Sequence, residues 1–371
     1  MSHGHEGLGG ARPLVVRLPV EPVEAVAEAD AVDAVLRAGG FAVRGPVFGV
    51  AAQDGPRWRV VGAVAAADPQ EARDSLNSLF WSRAKNDPMD RTERRALLEA
   101  VALLERERVG ELTVLGTRYR VIRVEEYAGA GPEGIELPRP SDPEPAVPDW
   151  DSRTTKPQTD DGLVLDPDAP ITPAQAAERL ALRELVYSGA RFPDDVREDS
   201  RRARDAHPDV VLMPATFTVV ERNSAGWQPA GIPHPSAHDA RRALARSLLR
   251  FEPYRHGLLE DVRADARATL AAGNCDARTA TALAAYVAGA DRLRAAPVNE
   301  LEVLGRVYRI ARTRRMVRWG PEGPEGPRPS DPAGNEPFAI HVPLDEDGNM
   351  LPSPSPSPSP SSGAGTETPP L

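Results

Sequence analysis

"ELTVLGTRYRVIRVEEYAGAGPEGIELPRPSDP" (residues 111–143) and "ELEVLGRVYRIARTRRMVRWGPEGPEGPRPSDP" (residues 300–332) align without a gap and end in the same hexapeptide. They share E-L-x-V-L-G-x-x-Y-R-x-x-R and then G-P-E-G-x-E-x-P-R-P-S-D-P. Both stretches lie in one chain, so the match is an internal repeat, and a repeat of this size governs any fold assignment. A fainter likeness runs upstream. "FGVAAQDGPRWRVVGAV" (48–64) answers "FTVVERNSAGWQPAGI" (217–232), matching Phe48 with Phe217 and Trp58 with Trp227. Each reads as two short strands around a polar turn that contains glycine.

A helix follows in each copy. Asp68, Pro69 and Glu71 supply a cap, a first-turn proline and a capping-box acid ahead of the stripe Ala72, Leu76, Leu79 and Phe80. Ser236 and Asp239 do the same ahead of Ala240, Leu244 and Leu248. A second helix starts at Asp90 and Glu93, with Leu97, Val101 and Leu104 inside. Its counterpart starts at Asp276, with Leu283, Val287 and Ala290 inside. The second copy inserts "YRHGLLEDVRADARATLAAGN", which predicts one further helix ending at Gly273.

Each unit therefore runs hairpin, helices, hairpin and proline-rich strap. The expected fold class is α+β: two tandem pseudo-repeated modules, each of antiparallel hairpins plus helices, packed as a pseudo-dimer. The first module spans 13–145 and the second 172–345. Residues 146–171 form an acidic linker with at most a short strand at "GLVL". "TPAQAAERLALRELVYSG" predicts a helix stopping at Gly189, and "PDDVREDSRRARDAHPD" a solvated one. The ends, 1–12 and the Pro/Ser-rich 346–371, are expected to be disordered.

Composition narrows the function classes. The formal net charge of −10 opposes a general nucleic-acid coat, which needs excess Lys and Arg. Cys275 is the one cysteine, so no internal disulfide forms and a reducing compartment fits. No stretch approaches 18 apolar residues, and the first residues lack a basic region followed by an apolar run. A cytoplasmic protein without membrane or nucleic-acid partners is the expectation.

The motifs divide into bland and sharp readings. Pro138, Pro140 and Pro143 fix their own φ and extend their neighbours, so "PRPSDP" is a stiff strap. It either latches across its own module or displays Arg139 and Arg328 to a partner, and the latch is the simpler reading. On the second hairpins, Glu125 and Glu126 align with Arg314 and Arg315. Two solvated strand faces explain this most simply. The sharper reading is that the opposite charges let the two copies pair. In "HPSAH", Pro235 and the Ser236 cap hold His234 off the helix that carries His238, so the two do not share a metal. His3 and His5 sit on the terminal tail. Cys275 has an aspartate neighbour and no histidine partner, which disfavours a nucleophile. "LDEDGN" lacks the closing glutamate of a calcium loop. Phe48, Trp58 and Tyr119, matched by Phe217, Trp227 and Tyr308, mark a repeated core. No catalytic, cofactor or metal residues are expected.

With its paired hairpins and "GPEGxExPRPSDP" tails, the chain resembles an uncharacterised actinobacterial family filed as a domain of unknown function, over residues 14–345. The resemblance implies no activity, cofactor or site residue. The reading carried forward is a non-enzymatic interaction or regulatory protein, with a protein partner or self-association. The alternative is an enzyme or small-molecule binder with a site in the groove between the modules.

Overall fold

The "V-L-G" shared by both hairpins has a conformational cause. Leu115 and Gly116 have φ of 51° and 78°, and Leu304 and Gly305 have φ of 50° and 77°. Two successive positive φ values make the two-residue turn whose twist matches that of the strands it joins. Each turn closes a hairpin, Val114 facing Thr117 in one and Val303 facing Arg306 in the other.

The computed structural model describes residues 11–151, 160–224 and 226–351. The first part of the chain runs α1 (Pro22–Arg37), β1 (Gly40–Asp54), β2 (Arg57–Ala66), α2 (Pro69–Asn86), α3 (Arg91–Leu104), β3 (Glu111–Val114), β4 (Thr117–Gly131) and β5 (Gly134–Ile135). β6 (Val164–Leu165), α4 (Pro173–Arg183) and α5 (Asp194–Ala206) connect onward. Then come β7 (Asp209–Asn223), β8 (Gly226–Pro229), α6 (Ala237–Leu249), α7 (Phe251–Arg255), α8 (Ala266–Ala272), α9 (Ala277–Ala295), β9 (Glu300–Val303), β10 (Arg306–Gly320) and β11 (Gly323–Pro324).

The fold is α+β, with one curled antiparallel sheet ordered β6-β2-β1-β4-β10-β7-β8. β3 and β5 pair with β4, and β9 and β11 pair with β10. The middle of the sheet is the β4–β10 ladder, where Glu126 lies opposite Arg315 and Val124 opposite Val317. Phe48 of β1 lies opposite Arg123 of β4, and Phe217 of β7 opposite Arg312 of β10.

Two helical cores sit on the sheet. Leu76, Phe80, Leu97, Val101 and Leu104 pack on Val50, Val114 and Tyr119. Leu244, Leu248, Tyr286 and Leu293 pack on Phe217, Tyr308 and Ile310. A third cluster crosses the β4–β10 seam, joining Trp58, Val60, Ile122 and Val124 to Val211, Met213, Val317 and Trp319. Of the matched aromatics, Phe48, Trp58, Tyr119, Phe217 and Tyr308 are buried, while Trp227 is half-buried.

The helix starts follow the capping residues. Asp90 and Glu93 close a reciprocal capping box, as do Thr172 and Gln175. Asp68, Ser236 and Asp276 each accept from the first-turn amides of their helices. Gly273 ends α8 at φ 69°. Two expectations are revised. α4 stops at Arg183, six residues before Gly189. Its last carbonyls, at Leu182 and Arg183, and that of Leu185 just past its end turn onto the buried guanidinium of Arg318. α1 has no counterpart in the sequence reading, because Val23, Val26 and Val32 are exposed and only Ala34 is buried.

The expected linker contributes more than a short strand. Asp160 is buried, accepting from Arg315 at 2.6 and 2.7 Å and from the Val64 amide at 3.1 Å. Beyond the expected boundary at 345, Glu346 and Asp347 pair with Arg95 and Arg91 of α3. Leu351 donates its amide to the Pro343 carbonyl, and at the other end the Arg12 amide donates to Asp209 at 3.0 Å, so these residues of the ends expected to be disordered are placed. Residues 1–10, with His3 and His5, and 352–371 lie outside the described residues. Among the described residues no helix is long and apolar enough to cross a membrane.

Candidate functional site

The hexapeptide strap can be accounted for donor by donor. Its three prolines carry no N–H, so only three amides need partners. In residues 138–143, the Arg139 amide donates to Asp142 at 2.7 Å, the Asp142 amide to the Arg139 carbonyl at 3.1 Å, and the Ser141 amide to Asp30 of α1 at 2.8 Å. In residues 327–332, Arg328 donates to Asp331 at 2.7 Å, Asp331 to the Arg328 carbonyl at 3.0 Å, and Ser330 to Asp199 of α5 at 2.8 Å. Each strap is a closed turn held down by one helix carboxylate.

The straps do not close over their own hairpins. Asp142 accepts from Nε of Arg312, on β10, at 2.9 and 3.0 Å. Asp331 accepts from Nε of Arg123, on β4, at the same distances. Backbone bonds run the same way, from the Arg123 amide to Glu325 and from the Arg312 amide to Glu136. Arg120 donates to the carbonyls of Glu322 and Pro324, and Arg309 to those of Glu133 and Ile135. Each latch therefore grips the long strand of the other half of the chain, which corrects the own-module reading. The cause is the β4–β10 seam, which brings each strap's origin beside the opposite strand.

The six residues singled out in the sequence fall into separate groups. Arg328 points inward, donating to Glu325 at 2.6 and 3.1 Å and lying 3.6 Å from Glu125. Glu125 also pairs with Arg123 and accepts from the Tyr187 hydroxyl at 2.6 Å. Burial acts to raise the Glu125 pKa, but Arg123 and Arg328 outweigh it and hold the carboxyl below its ordinary value. Glu126 and Arg315 are cross-strand neighbours whose charges go elsewhere. Glu126 pairs with Arg44 at 2.8 Å, and Arg315 with Asp160. Arg314 bridges Glu136 and Glu178, each at 2.8 Å, and Arg139 donates to Glu136 at 2.8 Å.

Arg139 and Arg314 also meet at a cleft of about 350 Å³. Its walls are Ala27, Ala31 and Val35 of α1, Gln175 and Glu178 of α4, and Leu212, Met213 and Pro214 of β7. Tyr127, Arg139, Arg312 and Arg314 also line it, as do Arg17, Glu24 and Glu28. Burial lowers the Arg139 pKa, and repulsion from Arg312 and Arg314 adds to the effect. The Tyr127 hydroxyl donates to Glu178, and burial beside that carboxylate raises its pKa well above the ordinary phenol value. Arg312, Tyr127 and Glu178 were not singled out as candidates. The available signal was positional: Arg312 aligns with Arg123, while its neighbour two residues on changes from Glu125 to Arg314.

His234 and His238 are both buried, but His234 lies on a backbone bridge to Phe217, and His238 contacts the Asp149 carbonyl. Among the described residues no group of three or more His, Cys, Asp or Glu side chains is placed to hold a metal.

The fold and the strap network define an α+β protein whose two like hairpins meet strand to strand and exchange their proline straps. It belongs to the family described as "Family of unknown function (DUF5954)", whose model matches residues 21–334. No curated protein and no solved structure matched the chain.

Proposed function

We propose that the protein is a non-enzymatic regulatory protein, built as two fused copies of one α+β module, that binds a small molecule in the cleft beside Arg139, Arg312 and Arg314. The observation that carries this reading is where the cleft lies. Its walls come from α1, the first strap, α4, β7 and β10, so an occupant touches both halves of the chain. A volume of about 350 Å³ with mixed apolar and polar walls suits a small ligand, and such sites gather at junctions between packed units. A ligand that prefers one arrangement of those walls shifts the population towards it, which is what a regulatory protein requires. The single cysteine fits action in a reducing compartment, the cytoplasm.

Native mass spectrometry of the full chain, purified from its own host at low salt, tests the reading. The expected spectrum shows one small molecule per chain, lost when Ala27→Trp and Ala31→Trp fill the cleft. A chain at its bare sequence mass overturns it. A second reading, a protein partner on the outer side of α1 and the residues just before it, is favoured by Val20, Val23 and Val26, which are 81%, 77% and 56% exposed. A stoichiometric protein in the same spectra, displaced by Val23→Glu, supports that reading instead.

A further inference from the structure

The two long strands carry one arginine at matching places, and its surroundings differ. On β4, Arg123 has partners along its whole guanidinium: Nε donates to Asp331, Nη1 to Glu125, and Nη2 lies 3.5 Å from the Tyr187 hydroxyl. On β10, Arg312 keeps the equivalent Nε contact to Asp142, but its Nη1 is buried with no hydrogen-bond partner. Glu136 Oε1 lies 4.0 Å from it, beyond hydrogen-bond reach. The reason is in the sequence. Where β4 offers Glu125, β10 has Arg314, which cannot accept and instead turns to Glu136 and Glu178. A buried guanidinium nitrogen left without an acceptor is costly, and among the several such arginine nitrogens in the described residues those of Arg312 and Arg314 belong to side chains that line this cleft. Arg312, Arg314 and Arg139 all line the same cleft, whose other walls mix apolar residues with Arg17, Glu24, Glu28 and Glu178, Arg17 being paired with Glu24 and Glu178 with Arg314.

We infer that the cleft recognises an oxyanion, a carboxylate or phosphate group on a small and partly apolar body, which supplies to Arg312 Nη1 the acceptor that Glu125 supplies to Arg123. This rests on the small-molecule reading of the cleft and names the chemistry of its ligand. Guanidinium is suited to the task because its planar fork matches the two oxygens of such a group. Tyr127 and the β7 residues Leu212, Met213 and Pro214 cover the apolar remainder. The Arg312–Asp142 and Arg314–Glu178 pairs already balance charge, so recognition depends on the vacant donor and on shape more than on net field.

The test is calorimetric titration of the full chain with inorganic phosphate, with succinate, and with succinamide as the neutral control. Saturable binding of phosphate or succinate, and none of succinamide, is the expected result. Whichever of the two binds tells phosphate from carboxylate. Arg314→Glu combined with Glu178→Gln rebuilds the β4 arrangement beside Arg312. It should lower affinity about ten-fold or more, the loss of one charge-assisted contact. Should that variant unfold, Ala31→Trp, which touches no ion pair, must abolish binding in its place. Equal binding of succinamide, or undiminished binding in a folded Arg314→Glu, Glu178→Gln chain, overturns the oxyanion assignment and leaves the cleft itself standing. Binding of none of the three probes also overturns the assignment, while the fate of the small-molecule reading is decided separately by the native mass.

Discussion

Asp142 and Asp331 each hold an amide of their own strap and the guanidinium of a strand from the other half of the chain. The Arg123–Asp331 pair is the more buried, with both side chains at most 4% exposed. Removing one partner of such a pair leaves the other charge uncompensated, at a cost of about 3 kcal/mol or more. Asp331→Asn should lower unfolding free energy by about that amount, and a cycle with Arg123→Met should show strong coupling in urea melts. Additive effects would mean that the pair is not a grip. The histidines set a pH response. Burial depresses the imidazole pKa of His207 and His234 below the ordinary value. The unfolded chain then takes up protons first as pH falls, so stability is complete above about pH 6.5 and declines below it. The urea midpoint should drop between pH 7.5 and 5.5, and His234→Gln should flatten that drop.

At the scale of the element, the β3–β4 and β9–β10 turns carry their own strain. Leu115 and Leu304 adopt positive φ, are 46% and 53% exposed, and gain little burial in return. Asn tolerates that conformation better, so Leu115→Asn should raise stability by about 0.5–1 kcal/mol, read from the shift in thermal midpoint. An unchanged or lower midpoint would mean that the leucine packs in a way its exposure does not indicate. The hairpins, the caps at Asp68, Asp90, Ser236 and Asp276, and the strap as a closure were all legible, because each depends on residues within a few positions of one another. α1 was not, because its inward side is Ala27, Ala31 and Ala34, and alanines leave no apolar stripe to read. The early end of α4 was not legible either, since it depends on Arg318, more than a hundred residues away.

For the whole molecule, the crossing of the straps illustrates a limit of internal repeats. Because "PRPSDP" and its arginine both occur twice, Asp142 satisfies the same chemistry on Arg123 or on Arg312. Local sequence cannot choose between them. The choice is made by the β4–β10 ladder, whose apolar cluster of Ile122, Val124, Val317 and Trp319 draws the two long strands together. The opposed charges at Glu126 and Arg315 likewise marked a seam, though each side chain pairs outside it. The cleft was legible only as a difference between copies, at the change from Glu125 to Arg314. The proposed fused dimer is tested most directly by cutting the chain within residues 152–159 and producing the halves apart and together. The account predicts that neither half alone unfolds cooperatively, and that mixing restores a one-to-one complex which Asp142→Asn and Asp331→Asn together weaken. Two halves that fold independently and remain monomeric when mixed would contradict it.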